Sequence, residues 1–188
     1  MKLLGGWFDK GMTWDEYVSG MQVNKENLLY IYEQYRLPAE DQLFYRQLRD
    51  RQWRVIALTA DWCGDAMLCN AVLKRIAEAA GLELSFLIRD ENLELMDQYL
   101  TNGKSRSIPI YIFIDREGRE QAVWGPRSPE VQRLVDEMRS QLPDKADPRF
   151  ETKQKEMFRG FKERILTDQS LWETVNRSIR ARLEQALR

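Results

Sequence analysis

The 188-residue chain contains no histidine. That excludes Cys–His and Ser–His catalytic pairs built within the chain, and histidine-ligated metal sites with them. Cysteine is nearly absent as well. Cys63 and Cys69 are the only two, too few for a disulfide scaffold, so a reducing cytoplasm is the expected setting. No apolar run approaches the ~18 residues needed to span a bilayer, and the opening MKLLGGWFDKGM lacks the apolar core of a signal peptide. Neither sign of charge is in excess, since the formal net charge is −1. Composition therefore argues against nucleic acid and against an acidic membrane surface as partners. No metal and no other cofactor is expected. A reactive thiol would need activation by a helix N-terminus, a cation or backbone donors.

What is present is the balance of a globular chain, with 43% hydrophobic and 31% charged residues and length enough for a core plus extra elements. Thr13 and Glu16 stand in capping-box spacing and predict a short helix over 13–21. Asn24 can cap a second helix carrying Leu28, Ile31, Tyr32 and Tyr35, which Leu37-Pro38 ends. Helical spacing resumes over 39–51 with Leu43, Phe44 and Leu48. From residue 53 the texture changes. WRVIALTA reads as a strand buried on both faces, 64–80 as a helix stopped by Gly81, and LELSFLI at 82–88 as a strand. A short helix over 92–101, a central strand IPIYIFID at 108–115, a turn at 116–118, a strand EQAVW at 120–124 and a Ser128-capped helix over 128–141 complete the series. This order predicts an α/β fold with a central mixed sheet and helices on both faces.

LPDKADPR at 142–149 reads as a linker. Beyond it lie two amphipathic stripes, Phe150/Met157/Phe158/Phe161/Ile165 and Leu171/Val175/Ile179/Leu183/Leu187. Residues 148–188 carry a net charge of +4 and residues 1–147 a net −5. Interleaved glutamates argue against a basic nucleic-acid arm. Both stripes are expected to dock onto the main domain or onto a second copy, so a homodimer through the C-terminal helices is one possibility.

Three local motifs sit on this framework: Trp62-Cys63-Gly64 between a buried strand and a helix, Ser107-Ile108-Pro109 opening a later strand, and Trp124-Gly125 ending the hairpin. Together with the element order they resemble the thioredoxin superfamily, most closely bacterial thioredoxin-like proteins with W-C-G-D, R-x-I-P and W-G-P-R. The resemblance covers residues 53–141. It implies a thioredoxin-like domain at 53–147, an N-terminal helical segment (1–52) packed on it and a helical C-terminal extension (148–188). It further implies that Cys63 is the reacting residue, with Pro109 as a cis-proline facing it and Trp62, Ile108, Pro109 and Gly125 around a substrate groove.

Cys63 begins a helix at Gly64 and Asp65, where unpaired N–H groups and the helix dipole favour a thiolate. Asp61 and Asp65 flank the sulfur and oppose this. The sequence also departs from the dithiol pattern. Ala66 stands where a second cysteine would resolve a mixed disulfide, and Ala57 where many thioredoxins carry a buried acid. Cys69 is no substitute. Six helical positions rise about 9 Å, whereas a disulfide needs Cα atoms roughly 4.4–6.8 Å apart. Cys69 reads instead as a small core residue.

Arg127 reads first as a solvated surface arginine, with a carboxylate of a small thiol as its alternative partner. Arg89, Asp90 and Glu91 read as a charged loop. Two functions compete: a monothiol thiol–disulfide oxidoreductase acting on protein or small-molecule thiols and disulfides, and a non-catalytic binding or adaptor protein. A one-cysteine peroxidase fits poorly, because Thr59 lies four residues before Cys63 and the expected upstream proline is missing.

Overall fold

The computed structural model describes residues 2–188. Four helices come first: α1 (Gly5–Lys10), α2 (Trp14–Gly20), α3 (Lys25–Gln34) and α4 (Ala39–Arg46). The central part is β1 (Arg54–Thr59), α5 (Gly64–Ala80), β2 (Glu83–Ile88), α6 (Leu93–Met96), β3 (Ile110–Ile114), β4 (Glu120–Trp124) and α7 (Pro129–Ser140). Two long helices, α8 (Phe150–Thr167) and α9 (Gln169–Ala186), end the chain. The sheet order is β2-β1-β3-β4, with β1 parallel to β2 and antiparallel to β3, and β3 antiparallel to β4. The expected mixed α/β sheet is therefore present.

Alternation along β1 and β3 divides the interior in two. Val55, Ala57, Tyr111 and Phe113 face α5 and join the larger core. Ile56, Leu58, Ile110, Ile112 and Ile114 point the other way, under Leu4, Leu95, Met96 and the partly buried Trp7 and Phe8. Helix α5 is buried at 12 of its 17 positions. A polar chain ties it to the sheet. Tyr111 donates to Asn70 Oδ1 at 2.5 Å, Asn70 Nδ2 donates to Thr59 Oγ1 at 3.0 Å, and Tyr17 shares a 3.3 Å hydrogen bond with Thr59. All four groups are buried, so the network pins helix register against the strands.

The two ends of the chain meet on the far side of α5. Tyr45 donates to Asn176 Oδ1 (2.7 Å), Tyr35 to Glu173 Oε2 (2.6 Å) and Arg180 to Asp41 Oδ1 (2.7 Å). Helix α9 also lies along the edge strand, where Trp124 Nε1 donates to Ser178 Oγ at 2.8 Å and Arg182 Nε to the Val123 carbonyl at 3.2 Å. The second C-terminal stripe and the end of the first dock on their own chain, since Phe161, Ile165, Leu171, Val175, Ile179 and Leu183 are buried in the larger core, whereas Phe158 stays exposed. At the opposite edge, Met12 exchanges two backbone hydrogen bonds with Phe86 (2.9 and 2.8 Å) and so protects β2.

Several local expectations change. Helix α1 contains Gly5 and Gly6, poor helix formers, and is held by packing of Trp7 and Phe8 rather than by propensity. The helix expected over 39–51 stops at Arg46 and tightens into a 3₁₀ turn at Arg49–Arg51. That expected over 92–101 is helical only over Leu93–Met96. Asn24 precedes α3 in a left-handed conformation (φ 64°) and makes no cap hydrogen bond. Its side chain instead donates to the Asp61 carbonyl at 2.9 Å, and this is possible because asparagine tolerates positive φ.

Trp172 is fully buried in α9, and its Nε1 donates to the Ile165 carbonyl at 2.6 Å. Trp172→Ala is expected to cost about 3–5 kcal/mol of stability, read as a lower urea midpoint for the single unfolding transition.

Candidate functional site

Chain geometry at the β1–α5 junction sets the site. After Thr59 the backbone turns, the Cys63 N–H donates to the Ala60 carbonyl (3.3 Å), and α5 begins at Gly64. Cys63 is the N-cap residue in extended conformation, and its Sγ accepts the Ala66 N–H at 3.4 Å. Sulfur thus does what serine or aspartate oxygen does at most helix starts. The thiol also lies 3.6 Å from the Ile108 carbonyl oxygen, which accepts its S–H. Cys63 is half-buried, whereas Cys69 is buried, with its thiol directed at the Pro126 carbonyl at 3.8 Å. The structure holds both as free cysteines.

Asp65 is buried and meets Arg127 in a two-point ion pair, with N–O distances of 2.8 to 3.0 Å. Only 15% of the Arg127 side chain is exposed, and it also donates to Gln132 Oε1 at 3.1 Å. The expectation of a solvated surface arginine is therefore corrected. A buried carboxylate needs a paired cation, and the WGPR turn supplies it. Asp61, the other flanking acid, accepts the backbone N–H groups of Gln22 (2.8 Å) and Val23 (3.2 Å) and so anchors the N-terminal segment. Arg89 is not in a loose charged loop either. It opens a 3₁₀ turn, donates to the Arg106 carbonyl (3.0 Å) and holds its guanidinium 4.9 Å from the Trp62 ring centroid, a cation–π distance. Trp62 itself is 49% exposed.

Burial pushes the Cys63 thiol up to about 11, and the Asp65 charge pushes the same way. The Ala66 and Asp65 N–H groups and the Arg127 guanidinium pull it down without compensating. Burial also raises the Asp65 carboxyl above the usual carboxylate range, partly offset by Arg127. At neutral pH Cys63 is accordingly a protonated thiol donating to Ile108.

A cavity of about 530 Å³ opens over the sulfur. Trp62, Cys63, Gly64, Asp65 and Ile108 line it together. Pro109 and Gly125 do not; they lie behind, one against the other. The Ile108–Pro109 and Gly125–Pro126 peptides are both cis. Gly125 has φ +132°, and a Cβ there would stand 2.2 Å from the Pro109 carbonyl oxygen, so only glycine lets the two loops meet. The remaining walls were not foreseen. Arg89, Arg106 and Ser107 come from the segments after β2 and before β3, Arg139 from the end of α7, and Phe158, Phe161 and Lys162 from α8. Phe158 and Phe161 belong to a stripe legible in the sequence, but nothing there says that it roofs the thiol. Among the described residues no cluster of three or more Cys, Asp or Glu could hold a metal ion, and no helix is long and apolar enough to cross a membrane.

This combination of sheet order, helix-start cysteine and facing proline loop is that of a thioredoxin-like protein. A family model described as Thioredoxin matches residues 11–139, and the chain belongs to that family. No curated protein matches the chain. Among solved structures, a protein of unknown function from Pseudomonas aeruginosa is similar over 99% of this chain and 99% of its own, with a TM-score of 0.69 and 16% identity. An HIV epitope scaffold is similar over 93% of this chain and 98% of its own, with a TM-score of 0.60 and 16% identity. At that identity the likeness concerns the fold alone.

Three outcomes test the site. Alkylation of Cys63 is expected to quicken about tenfold per pH unit up to a plateau near pH 11, where the thiol titrates. Asp65→Asn removes the negative charge that favours the neutral thiol and leaves Arg127 as an uncompensated cation, so the profile should move to lower pH by about one unit. Gly125→Ala should destabilise the protein by about 2 kcal/mol or more through the clash with Pro109, measured by thermal unfolding.

Proposed function

We propose that the protein is a thioredoxin-fold thiol–disulfide oxidoreductase that works through one sulfur, Cys63. The observation carrying this reading is the position of Sγ: at the N-cap of α5, half-buried, on the wall of a cavity, with the second sulfur turned into the core. In the first step the Cys63 thiol gives its proton to solvent and attacks a disulfide R–S–S–R′. A Cys63–S–S–R bond forms, the old S–S bond breaks, and R′–S⁻ leaves and takes up a proton. An external thiol then attacks the mixed disulfide, forms a new disulfide with R and returns Cys63 to the thiol. No internal sulfur takes part, consistent with Ala66 and the buried Cys69. The same chemistry supports protein or small-molecule thiols as the partners and a reducing, cytoplasmic setting.

One observation favours a second reading, a binding module without turnover: burial pushes the Cys63 thiol up to about 11, which leaves little thiolate at neutral pH. The experiment that separates the two is exchange with a mixed-disulfide substrate. Cys63→Ser should abolish exchange, and Cys69→Ser should leave its rate within about twofold, because Cys69 does not enter the reaction. Wild-type exchange no faster than that of free cysteine at the same pH would leave the binding reading standing.

A further inference from the structure

The charge around the cavity is one-sided. Five cations line it, namely Arg89, Arg106, Arg127, Arg139 and Lys162, against a single carboxylate, Asp65. This is not a property of the whole chain, whose formal net charge is −1. The one carboxylate is already matched by Arg127. Arg89 and Arg106 have acids of their own outside the lining, Asp90 at 3.0 Å and Asp97 at 2.8 Å. Among the described residues Arg139 and Lys162 make no ion pair and no side-chain hydrogen bond, and Arg139 acts on Asp65 only through space, where its charge helps hold the carboxyl down. A concave, partly apolar site focuses the field of such cations, and Phe158, Phe161 and Trp62 supply the apolar part here.

The walls also limit what can enter. An extended polypeptide would add to an open backbone edge. Here α8 crosses the start of α5. A Cβ on Gly64 would sit 3.4 Å from Lys162 Cγ and 3.8 Å from Phe161 Cδ2. The Ile108 carbonyl, meanwhile, is engaged by the Cys63 thiol. A cavity of about 530 Å³ is of a size for a small molecule, within the roughly 300–1,000 Å³ of ligand pockets.

We propose that the substrate of this site is a low-molecular-weight thiol, met as its disulfide, that carries at least two anionic groups, with Arg139 and Lys162 receiving those groups while Cys63 forms the mixed disulfide. The proposal rests on the exchange reading above for the covalent step. The recognition of anions rests on the cavity alone. Carboxylate-bearing and phosphate-bearing thiols share this chemistry.

The test compares four disulfides at equal concentration and low salt by intact mass: oxidised glutathione (carboxylates), coenzyme A disulfide (phosphates), hydroxyethyl disulfide (neutral) and cystamine (cationic). Each rate of adduct formation on Cys63 is divided by the rate with free cysteine. At least one anionic disulfide is expected to exceed the neutral one by about tenfold and cystamine by more, and the faster of the two identifies the anion. The Arg139→Gln/Lys162→Gln double variant should lose most of that preference. Lys155→Gln/Arg159→Gln, which removes two charges from α8 outside the cavity lining, should keep it. Equal rates for anionic and neutral disulfides, or a preference that survives Arg139→Gln/Lys162→Gln, would overturn the proposal. A second arm is independent of exchange: S-methylglutathione and S-methyl-coenzyme A, thioethers that cannot react, are each titrated into Cys63→Ser and binding is followed by calorimetry. Saturable binding that weakens with salt, and is lost in Arg139→Gln/Lys162→Gln, supports the anion site even if no disulfide reacts with Cys63. Failure of both thioethers to bind at millimolar concentration would overturn it even if exchange is fast.

Discussion

The burial of α5 on most of its sides is the constraint on which the rest of the molecule depends. A helix buried at 12 of its 17 positions is no surface element, and one sheet covers only one side of it. The other sides are closed by α3 and α4 from the front of the chain and by α8 and α9 from its end. Seen this way, the segments outside the common thioredoxin elements are the outer half of the core. The polar contacts between the two ends, Tyr45 with Asn176 and Arg180 with Asp41, lock that outer half in register.

The same burial governs the chemistry. Because α8 packs over the first turn of α5, the helix N-terminus that would favour a thiolate is drawn out of water, and desolvation outweighs the N–H donors at Cys63. Asp65, in the first turn, is buried for the same reason and obliges Arg127 to fold in beside it. The acid, the arginine and the quiet thiol are therefore one arrangement with one cause. The exposed Trp62, stacked under Arg89, marks where the cover stops and solvent begins.

Much of this was legible in the sequence. The strands at 53–60, 82–88, 108–115 and 120–124 declared themselves by apolar runs and alternation, and Thr13, Gly81 and Ser128 marked helix ends by their capping chemistry. Each of these is a local signal. What escaped the reading is non-local. Helix α1 forms in a glycine pair because Trp7 and Phe8 have a sheet face to cover. Asn24 gives its side chain to Asp61, far along the chain, rather than to its own helix. Arg127 looked like a solvated arginine because nothing near it in sequence announces that Asp65 is buried. Arg139 and Lys162 stand in ordinary amphipathic helices, and only the way α7 and α8 cross the start of α5 brings them to the sulfur. The departures at Ala66 and Ala57 could be read directly, but not the roof above them.

That roof gives the molecule a history as well as a shape. Phe161 and Lys162 follow Cys63 by about a hundred residues, so at roughly 5–20 residues per second the ribosome needs about 5–20 s to make them after the cysteine has been added. During that interval the sheet strands and α5 can begin to associate while the start of α5 lacks its cover. Until α8 docks, Gly64 lacks the Phe161 and Lys162 side chains that pack beside it in the finished fold. The surroundings of the sulfur are thus completed by the last part of the chain to be made, and the order of synthesis decides when.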